Sequence, residues 1–466
     1  MTPATQRAVE GICQAYQAII VDFTAERLHI AVAETPSHAL MAELRFATHC
    51  PVEVECWPRA KLEQFNVKGS ISASVTAEGT LEQYGTAVEI INALLIQALQ
   101  KRASDIHIEP QKDSLRLRLR VDGVLQQLPC TGVENSAPLI ARLKILASLD
   151  IAERRVPQDG QFSLVLNDNT ESFRLSTLPT RFGEKAVVRL MQSDSHTIAL
   201  ENLGMPSPLL KRYREALARP QGMILVTGPT GSGKTFTLYS GLSWLNIATR
   251  NLCSVEDPVE IPLEGVNQTQ IHAKSGLDFH RVLRALLRQD PDVIMVGEIR
   301  DGETAEIAVK AAQTGHLVLS TLHTNSTTET LVRLGQMGVP GYLLASALKL
   351  VIAQRLVRKL CPHCRQPAQA TSHFPPHIWP GTVQNWQAIG CERCFSGFYG
   401  RLPLFELLPV SARLQNALAK SAPPEELTEI ARQQGMNTLF VEGLHCVNRG
   451  ETTLEELTRV AGGSDE

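Results

Sequence analysis

Residues 228–235, with the sequence GPTGSGKT, constrain the fold of this chain more than any other segment. They fit the pattern G-x-x-x-x-G-K-[ST], follow the apolar run 223–227 and precede a helical pattern over 235–245. Strand, glycine-rich turn and helix in this order are the context of a phosphate-binding P-loop. Glycines let backbone N–H groups turn toward the phosphates, and the helix N-terminus adds the positive end of its dipole. The alternative is a chance glycine-rich turn, which leaves the flanking strand and helix unexplained.

This loop predicts a site for ATP and Mg²⁺. Lys234 is expected to contact the β- and γ-phosphates, and Thr235 is expected to ligate Mg²⁺. The predicted nucleotide-binding residues are Gly228, Pro229, Thr230, Gly231, Ser232, Gly233, Lys234, Thr235 and Phe236.

The segments around the loop alternate between apolar strands and helical patterns. Further buried strands are predicted at 253–255, 293–296 and 317–321. Such alternation is typical of a mostly parallel sheet covered by helices, so we predict an α/β domain over 205–466.

Two carboxylates follow apolar strands of this domain. Glu298 ends the strand DVIMVGE, and Glu256 lies in SVEDPVE directly after another strand. The carboxyl ends of parallel strands face the ligand crevice, so either acid can polarise water or hold the Mg²⁺ shell. The alternatives are a solvent-exposed glutamate at a strand end and an acidic turn. His316 and His323 bracket the strand HLVLSTLH and are candidates for sensing the γ-phosphate, although a lone histidine is more often structural.

The ten cysteines include two CxxC pairs, Cys361/Cys364 and Cys391/Cys394, separated by 26 residues. Each pair can place two thiolates on one side of a tetrahedral ion, which predicts a closed structural Zn²⁺ site in a subdomain near 358–400. The alternatives are redox pairs or buried thiols.

The sequence before the P-loop domain is predicted to form three segments. Residues 1–65 resemble a small α/β domain without recognisable chemistry, and the composition of 66–84 suits a linker. Residues 85–204 predict an α+β domain with helices at 87–100 and 138–152. Its predicted strands are 115–121, 162–166, 173–178 and 185–190, with an Asp122-Gly123 turn after the first.

Charge and hydropathy argue against some classes of protein. The net charge of -3, from 45 basic and 48 acidic residues, gives no support for direct nucleic-acid binding. The best apolar run, 342–357, is broken by Lys349, Gln354 and Arg355, and the N-terminus lacks the pattern of a signal peptide. We therefore expect a cytoplasmic protein that reaches a membrane through a partner.

Together these motifs resemble the ATPases of type II secretion and type IV pilus assembly, the GspE/PilB family. The family's hallmarks are matched by the P-loop, the acidic box 254–260, the strand motif 287–301 and the histidine box 311–325. RASDIHIEP, RLRVDG and QDGQF resemble the domain that precedes the core, so the likeness covers about 85–460. The CxxC pairs and the extra N-terminal domain place the chain with the assembly branch, and its length is similar to that of short HofB-like members.

The resemblance implies a RecA-like core with a zinc-binding insertion, preceded by a PAS-like α+β domain and a small partner-docking domain. It implies that Glu256 acts near the attacking water, that Glu298 is the acid of the Walker B strand, and that His316 and His323 contact phosphate. Arg174 and Arg189 match family arginines that reach the phosphates, a role that suits the planar guanidinium fork.

The resemblance also implies a homohexamer on the cytoplasmic face of the inner membrane. Its partner would be a polytopic platform protein, through which pilin-like subunits are moved. A motor for DNA uptake or DNA transfer from the same superfamily, and a non-catalytic nucleotide-binding scaffold, are the alternatives.

Overall fold

The computed structural model describes residues 86–128, 136–166, 169–191, 198–272 and 276–462 and part of 9–57. The predicted linker 66–84 lies outside the described residues. The chain divides into two compact units, the first made of 1–101, 105–118 and 127–190, and the second of 102–104, 119–126 and 191–466.

A three-stranded sheet lies near the N-terminus. Its strands are β1 (Ile19–Phe23), β2 (Leu28–Val32) and β3 (Val52–Cys56). β2 pairs antiparallel with β1 and parallel with β3. Leu28 and Ile30 of β2 are fully buried in an apolar cluster with Leu40 and Leu44, because alternate residues of a strand share one face.

A six-stranded sheet follows, with the order β6-β5-β4-β9-β8-β7. Its strands are β4 (Ala103–Pro110), β5 (Leu115–Val121), β6 (Val124–Leu128), β7 (Gln158–Leu166), β8 (Asn169–Thr180) and β9 (Gly183–Met191). The predicted strands of this region are confirmed, including the strict alternation of β5, whose leucines are buried and whose arginines are partly exposed. Asp122 and Gly123 both have positive φ, at 49° and 86°, as the predicted tight turn requires.

Two helices accompany this sheet, α1 (Ala87–Gln100) and α2 (Ala137–Leu146). α1 starts at a capping box, since Thr86 and Glu89 each accept a hydrogen bond from the other's backbone N–H. The predicted helix 138–152 was wrong at its C-terminal end. Ser148 takes a left-handed φ of 55°, and Leu149 N–H donates to the Lys144 carbonyl at 2.8 Å, so a Schellman turn ends the helix six residues early.

The second unit is built on a seven-stranded sheet with the order β12-β11-β13-β14-β10-β15-β18. Its strands are β10 (Gly222–Thr227), β11 (Leu252–Glu256), β12 (Val266–Gln270), β13 (Val293–Val296), β14 (Leu317–Leu322), β15 (Leu348–Leu360) and β18 (Phe398–Pro409). All neighbours are parallel except β15 and β18, which confirms the predicted parallel α/β core.

Helices cover both faces of this sheet. They are α3 (Ser207–Leu217), α4 (Lys234–Leu245), α5 (Phe279–Leu286), α6 (Gly302–Gln313), α7 (Thr327–Gln336) and α8 (Gly341–Ala347). Met223 and Leu225 of β10 are buried in one apolar cluster, and Ile224 and Val226 in the other. A strand that is buried on both faces has a continuous apolar sequence, and β10 has such a sequence.

The C-terminal part of the unit adds a hairpin and four helices. They are β16 (Gln366–His373), β17 (Thr382–Gln387), α9 (Ala412–Ala419), α10 (Pro424–Gln433), α11 (Leu439–Asn448) and α12 (Leu454–Ala461). Among the described residues, no helix is both long and apolar enough to cross a bilayer. The apolar run 342–357 divides between α8 and the first part of β15.

Candidate functional site

The P-loop connects the end of β10 with the start of α4. Gly228, Gly231 and Gly233 have φ values of 145°, 78° and 88°, which side-chain-bearing residues rarely adopt. A Cβ atom on Gly228 would lie 2.5 Å from the Gln354 carbonyl oxygen, and one on Gly233 would lie 2.8 Å from the Gln354 Nε2 atom. Backbone conformation therefore favours glycine at all three positions, and limited space also requires it at Gly228 and Gly233.

Lys234 is buried at the first turn of α4, with 8% of its surface exposed. Its Nζ atom donates to the carbonyls of Gly228 and Pro229, at 2.8 and 3.0 Å. Burial lowers the pKa of this amine from 10.5 to about 8, the charge of Glu298 acts in the opposite direction, and the charge of Arg355 lowers the pKa further. The ammonium group is thus held inside the loop, and anionic phosphate oxygens would restore its usual pKa.

Nucleotide binding is therefore expected to take up a proton at about pH 9, because Lys234 is mostly neutral in the free protein there and charged beside phosphate. Affinity for ADP should fall as the pH rises above about 8. Calorimetric titration with ADP in two buffers of different ionisation enthalpy measures the uptake. The uptake should be much smaller at about pH 7, where the free protein already carries the proton. Absence of proton uptake at the higher pH would contradict the lowered pKa.

Two further P-loop hydroxyls are available to phosphate or metal. Ser232 Oγ is buried and makes no hydrogen bond within the described part of the chain, while Thr235 is exposed at the start of α4. Buried polar atoms almost always have partners, so Ser232 Oγ fits a site that is completed by a ligand. Pro229 and Thr230 are exposed on the outside of the loop, and Phe236 packs against the apolar cluster beneath it.

Glu298 lies just beyond the carboxyl end of β13, with 17% of its side chain exposed. His323 Nε2 is 3.4 Å from its Oε2 atom, and the Arg300 guanidinium forms an ion pair with its Oε1 atom. Arg300 also lies 3.7 Å from Asp257 of the acidic box. β13 and β14 are adjacent parallel strands, so their carboxyl ends bring Glu298 and His323 together.

Glu256 is the last residue of β11 and only 3% exposed. Its carboxylate accepts hydrogen bonds from Tyr239 Oη, from Ser254 Oγ at 2.6 Å and from Gln268 Nε2 at 3.1 Å. Burial and the neighbouring carboxylate raise the pKa of the Tyr239 phenol, which therefore remains a donor. Both oxygens of Glu256 are committed to these partners, and the sequence offered no signal for Tyr239 or Gln268 because both contacts are long-range.

The two predicted histidines lie at opposite ends of β14. Thr227, which precedes the P-loop, pairs with Leu322, so His323 stands at the P-loop edge. Gly222, at the other end of β10, pairs with Leu317 and donates its N–H to the His316 carbonyl. The structure therefore does not bring His316 to the P-loop, and its Nδ1 atom lies 3.0 Å from the Ala311 carbonyl instead.

Arg174 and Arg189 belong to the first unit. Arg189 donates from Nε to Asp105 at 2.9 Å and is more than half exposed, and Arg174 pairs across the β7–β8 ladder with Gln161. Their predicted contact with phosphate stays a prediction.

Four cysteine sulfurs converge where β15 ends and β18 begins. The Sγ atoms of Cys361, Cys364, Cys391 and Cys394 all lie within 4.8 Å of one another. Cys361 and Cys391 are 3.9 Å apart, and Cys394 lies 3.6 Å from both Cys364 and Cys391. Four thiolates about 2.3 Å from a tetrahedral zinc ion would stand about 3.8 Å apart, so the donor set fits a closed Zn²⁺ site.

Comparison with known proteins agrees with this arrangement. A sequence model of the family described as "Type II/IV secretion system protein" matches residues 80–459. The chain is 54% identical over 452 residues to the "Protein transport protein HofB homolog" of Escherichia coli (strain K12), covering 97% of each. It is 46% identical over 399 residues to the "Type IV pilus assembly ATPase PilB" of Pseudomonas aeruginosa, covering 84% of this chain and 70% of PilB.

A solved structure supports the fold. The crystal structure of the pilus retraction motor PilT with bound ADP matches with a TM-score of 0.57 and 26% identity, over 80% of this chain and 97% of PilT. The predicted RecA-like fold is thereby confirmed, as is the resemblance to short HofB-like members. These matches show that the chain belongs to the type II/IV secretion system protein family and is one of its ATPases.

Proposed function

We propose that this ATPase drives the assembly of a type IV pilus or a type II secretion pseudopilus by hydrolysing ATP with Mg²⁺. The observation that carries the proposal is that the P-loop lysine, Glu298 and His323 all lie at the carboxyl edge of one parallel sheet, with Glu298 paired to His323 and close enough to act on the charge of Lys234, in a chain of this family. Charges of both signs at that edge suit a reaction in which negative charge moves between phosphate oxygens.

Phosphate binding is the task of the P-loop. Lys234 exchanges its two carbonyl acceptors for β- and γ-phosphate oxygens, and Ser232 Oγ gains the partner that it lacks within the described residues. Thr235, at the exposed start of α4, is the residue that would hold Mg²⁺, and the ion would neutralise charge on the phosphates.

Glu298 is the better candidate for orienting the attacking water. Both carboxylates have protein partners, but 17% of the Glu298 side chain is exposed and its partners Arg300 and His323 are themselves about half exposed or more. Glu256 is only 3% exposed, and its oxygens accept hydrogen bonds from Tyr239, Ser254 and Gln268. Glu256 then serves to position α4, since Tyr239 of that helix is its hydrogen-bond donor. His323 donates toward the γ-phosphate or toward Glu298. The contact of His316 with phosphate stays a prediction, because its ring lies at the other end of β14.

We propose the remaining roles on the resemblance alone. Arg174 and Arg189 reach the nucleotide phosphates from the α+β domain of residues 85–204. The core works as a homohexamer, residues 1–65 dock a polytopic inner-membrane platform protein, and the chain sits on the cytoplasmic face of that membrane. Domain closure on ATP would then move the platform protein and pilin-like subunits.

The test is affinity purification of the tagged protein from its native cells, with mass spectrometry of partners from detergent-solubilised membranes. A Glu298→Gln bait, which should hold ATP, would enrich partners of the closed state. Recovery of a polytopic membrane protein with pilin-like subunits would support the proposal. DNA-processing proteins without pilin-like subunits would overturn it in favour of a DNA-transfer motor.

We also propose that the four cysteines hold a structural Zn²⁺ ion. Cys364→Ser is expected to abolish zinc binding and to expose the region 358–400 to proteolysis, because folding of such small sites depends on the metal. Zinc content is measured by mass spectrometry of the purified protein. Cys56→Ser, at an exposed cysteine outside the cluster, is the matched control and should keep full zinc content. Equal zinc in both variants would contradict the assignment.

A further inference from the structure

Strand β15 runs past the point where the neighbouring β10 turns into the P-loop. Thr227, the last residue of β10, pairs with Ala353, so the next two residues of β15 stand beside the loop itself. These are Gln354 and Arg355, with 3% and 6% of their surface exposed. Consecutive strand residues point to opposite faces of a sheet, so the two polar side chains flank the P-loop from both sides.

Gln354 holds the helix side of the loop. Its Oε1 atom accepts a hydrogen bond from Thr237 Oγ1 of α4 at 2.6 Å. Its Nε2 atom occupies the space that a Cβ atom on Gly233 would need. The carboxamide therefore packs directly against the last glycine of the loop.

Arg355 holds the other side. Its Nη2 atom donates to both the backbone carbonyl and the Oδ1 atom of Asn325, each at 3.1 Å. Its Nη1 atom donates to the Gln354 carbonyl at 3.1 Å and would lie 3.1 Å from a Cβ atom on Gly228. One guanidinium thus touches the entrance of the P-loop and the loop that follows β14.

That second loop carries His323. Its next residue, Thr324, donates its N–H to Thr227 Oγ1 at 2.9 Å, which ties the segment to the end of β10. Farther on, Thr327 donates from both its N–H and its hydroxyl to the buried carboxylate of Glu406, at 2.8 and 2.6 Å. Arg355 binds Asn325 between these two attachments, so it adds a third point at which the segment after His323 is held.

We propose that Arg355 is a positioning residue of the ATPase site, which holds the His323–Asn325 loop against the P-loop so that His323 and Glu298 face the γ-phosphate. The inference rests on the roles proposed above for Lys234, Glu298 and His323. Only arginine fits, because its planar fork supplies three hydrogen bonds in fixed directions, whereas a lysine ammonium is a compact point charge on a flexible stem.

The experiment compares Arg355→Lys with wild type in ATP turnover and in binding of a fluorescent ADP analogue. Turnover should fall by about 10- to 100-fold, because a misplacement of about 1 Å costs that much in rate. ADP affinity should stay within about threefold, since charge near the loop is kept. Arg413→Lys is the control, because Arg413 also donates to a side-chain amide oxygen, that of Gln433 at 2.7 Å, but at an exposed position of α9. It should match wild type.

Asn325→Ala is a second test variant. Because Asn325 is exposed, this substitution should not prevent folding. The loss of turnover in the double variant should be no larger than that of Arg355→Lys alone, because the hydrogen bond that Asn325→Ala removes, from Arg355 Nη2 to Asn325 Oδ1, is one of those already lost in Arg355→Lys. A purely structural role would predict lower melting temperatures and proportional losses of ADP affinity instead.

Three outcomes would overturn the inference. They are unchanged turnover in Arg355→Lys, a loss of ADP affinity equal to the loss of turnover, and additive effects of the two substitutions. Lys234→Ala is measured in the same series, so that failure of the inference about Arg355 can be distinguished from failure of the proposed nucleotide site. Tight ADP binding by that variant would show that the P-loop does not bind the nucleotide, and the proposed role of Arg355 would then also be wrong.

Discussion

Glu298→Gln is expected to lower the ATP turnover of this protein by about 10²- to 10⁴-fold, the range typical of lost acid–base assistance. The substitution keeps the size of the side chain and removes only its charge and its capacity to accept a proton. Nucleotide affinity should remain within about threefold of wild type, since Lys234 and the P-loop backbone carry phosphate binding. Turnover is measured by phosphate release, and affinity with a fluorescent ADP analogue.

Two comparisons make this result interpretable. Glu306→Gln removes an exposed carboxylate that pairs with Lys310 on α6, and it should leave turnover unchanged. Glu256→Gln should retain more turnover than Glu298→Gln, because an amide can still hydrogen-bond with Tyr239, Ser254 and Gln268. A fully active Glu298→Gln variant would show that Glu298 takes no part in the mechanism. A larger loss of turnover in Glu256→Gln than in Glu298→Gln would indicate that Glu256 orients the attacking water.

Lys234→Ala is expected to weaken nucleotide binding by roughly 100-fold or more and to abolish turnover. Hydrogen bonds to charged groups contribute about 1.5–3 kcal/mol each, so loss of two phosphate contacts is sufficient for this effect. The lysine is buried and held by two carbonyls before any nucleotide arrives, so its ordering adds little to the cost of binding.

Lys310→Ala is the matched control, because Lys310 is exposed and pairs only at the surface with Glu306. Its affinity and turnover should equal those of wild type. Binding by Lys234→Ala that is as tight as wild type would show that the nucleotide lies elsewhere in the chain.

The core of the fold could be predicted because its signals are local. The P-loop, its flanking strand and helix, and the parallel α/β alternation all follow from short segments whose burial dictates their apolar pattern. The helix over 137–146 was placed correctly but extended too far. The helix ends because Ser148 takes the left-handed conformation, and a serine at this position does not predict that conformation.

The site could be predicted only in part. Glu298 and His323 were candidates because each follows a strand, and their roles came from the resemblance to the family. Tyr239, Gln268, Gln354 and Arg355 were missed because each acts through a contact with a residue distant in the chain. One signal for the last two was present, since the polar pair QR interrupts the otherwise apolar run LVIAQRLV. A buried polar interruption in a strand calls for partners, and these two residues find them beside the P-loop.

The glycine-rich loop, the order of strands and helices around it, and the two pairs of cysteines could all be predicted from the sequence, because backbone conformation and residue chemistry decide them locally. Strand register depends on tertiary packing, and it determines which residues of different strands lie next to one another. It placed His323 at the P-loop edge and His316 at the opposite end of the same strand, and it set Gln354 and Arg355 against the P-loop. It also brought Tyr239 and Gln268, from two other elements, to the carboxylate of Glu256. Those pairings depend on how distant segments pack, and the spacing of residues along one chain does not contain that information.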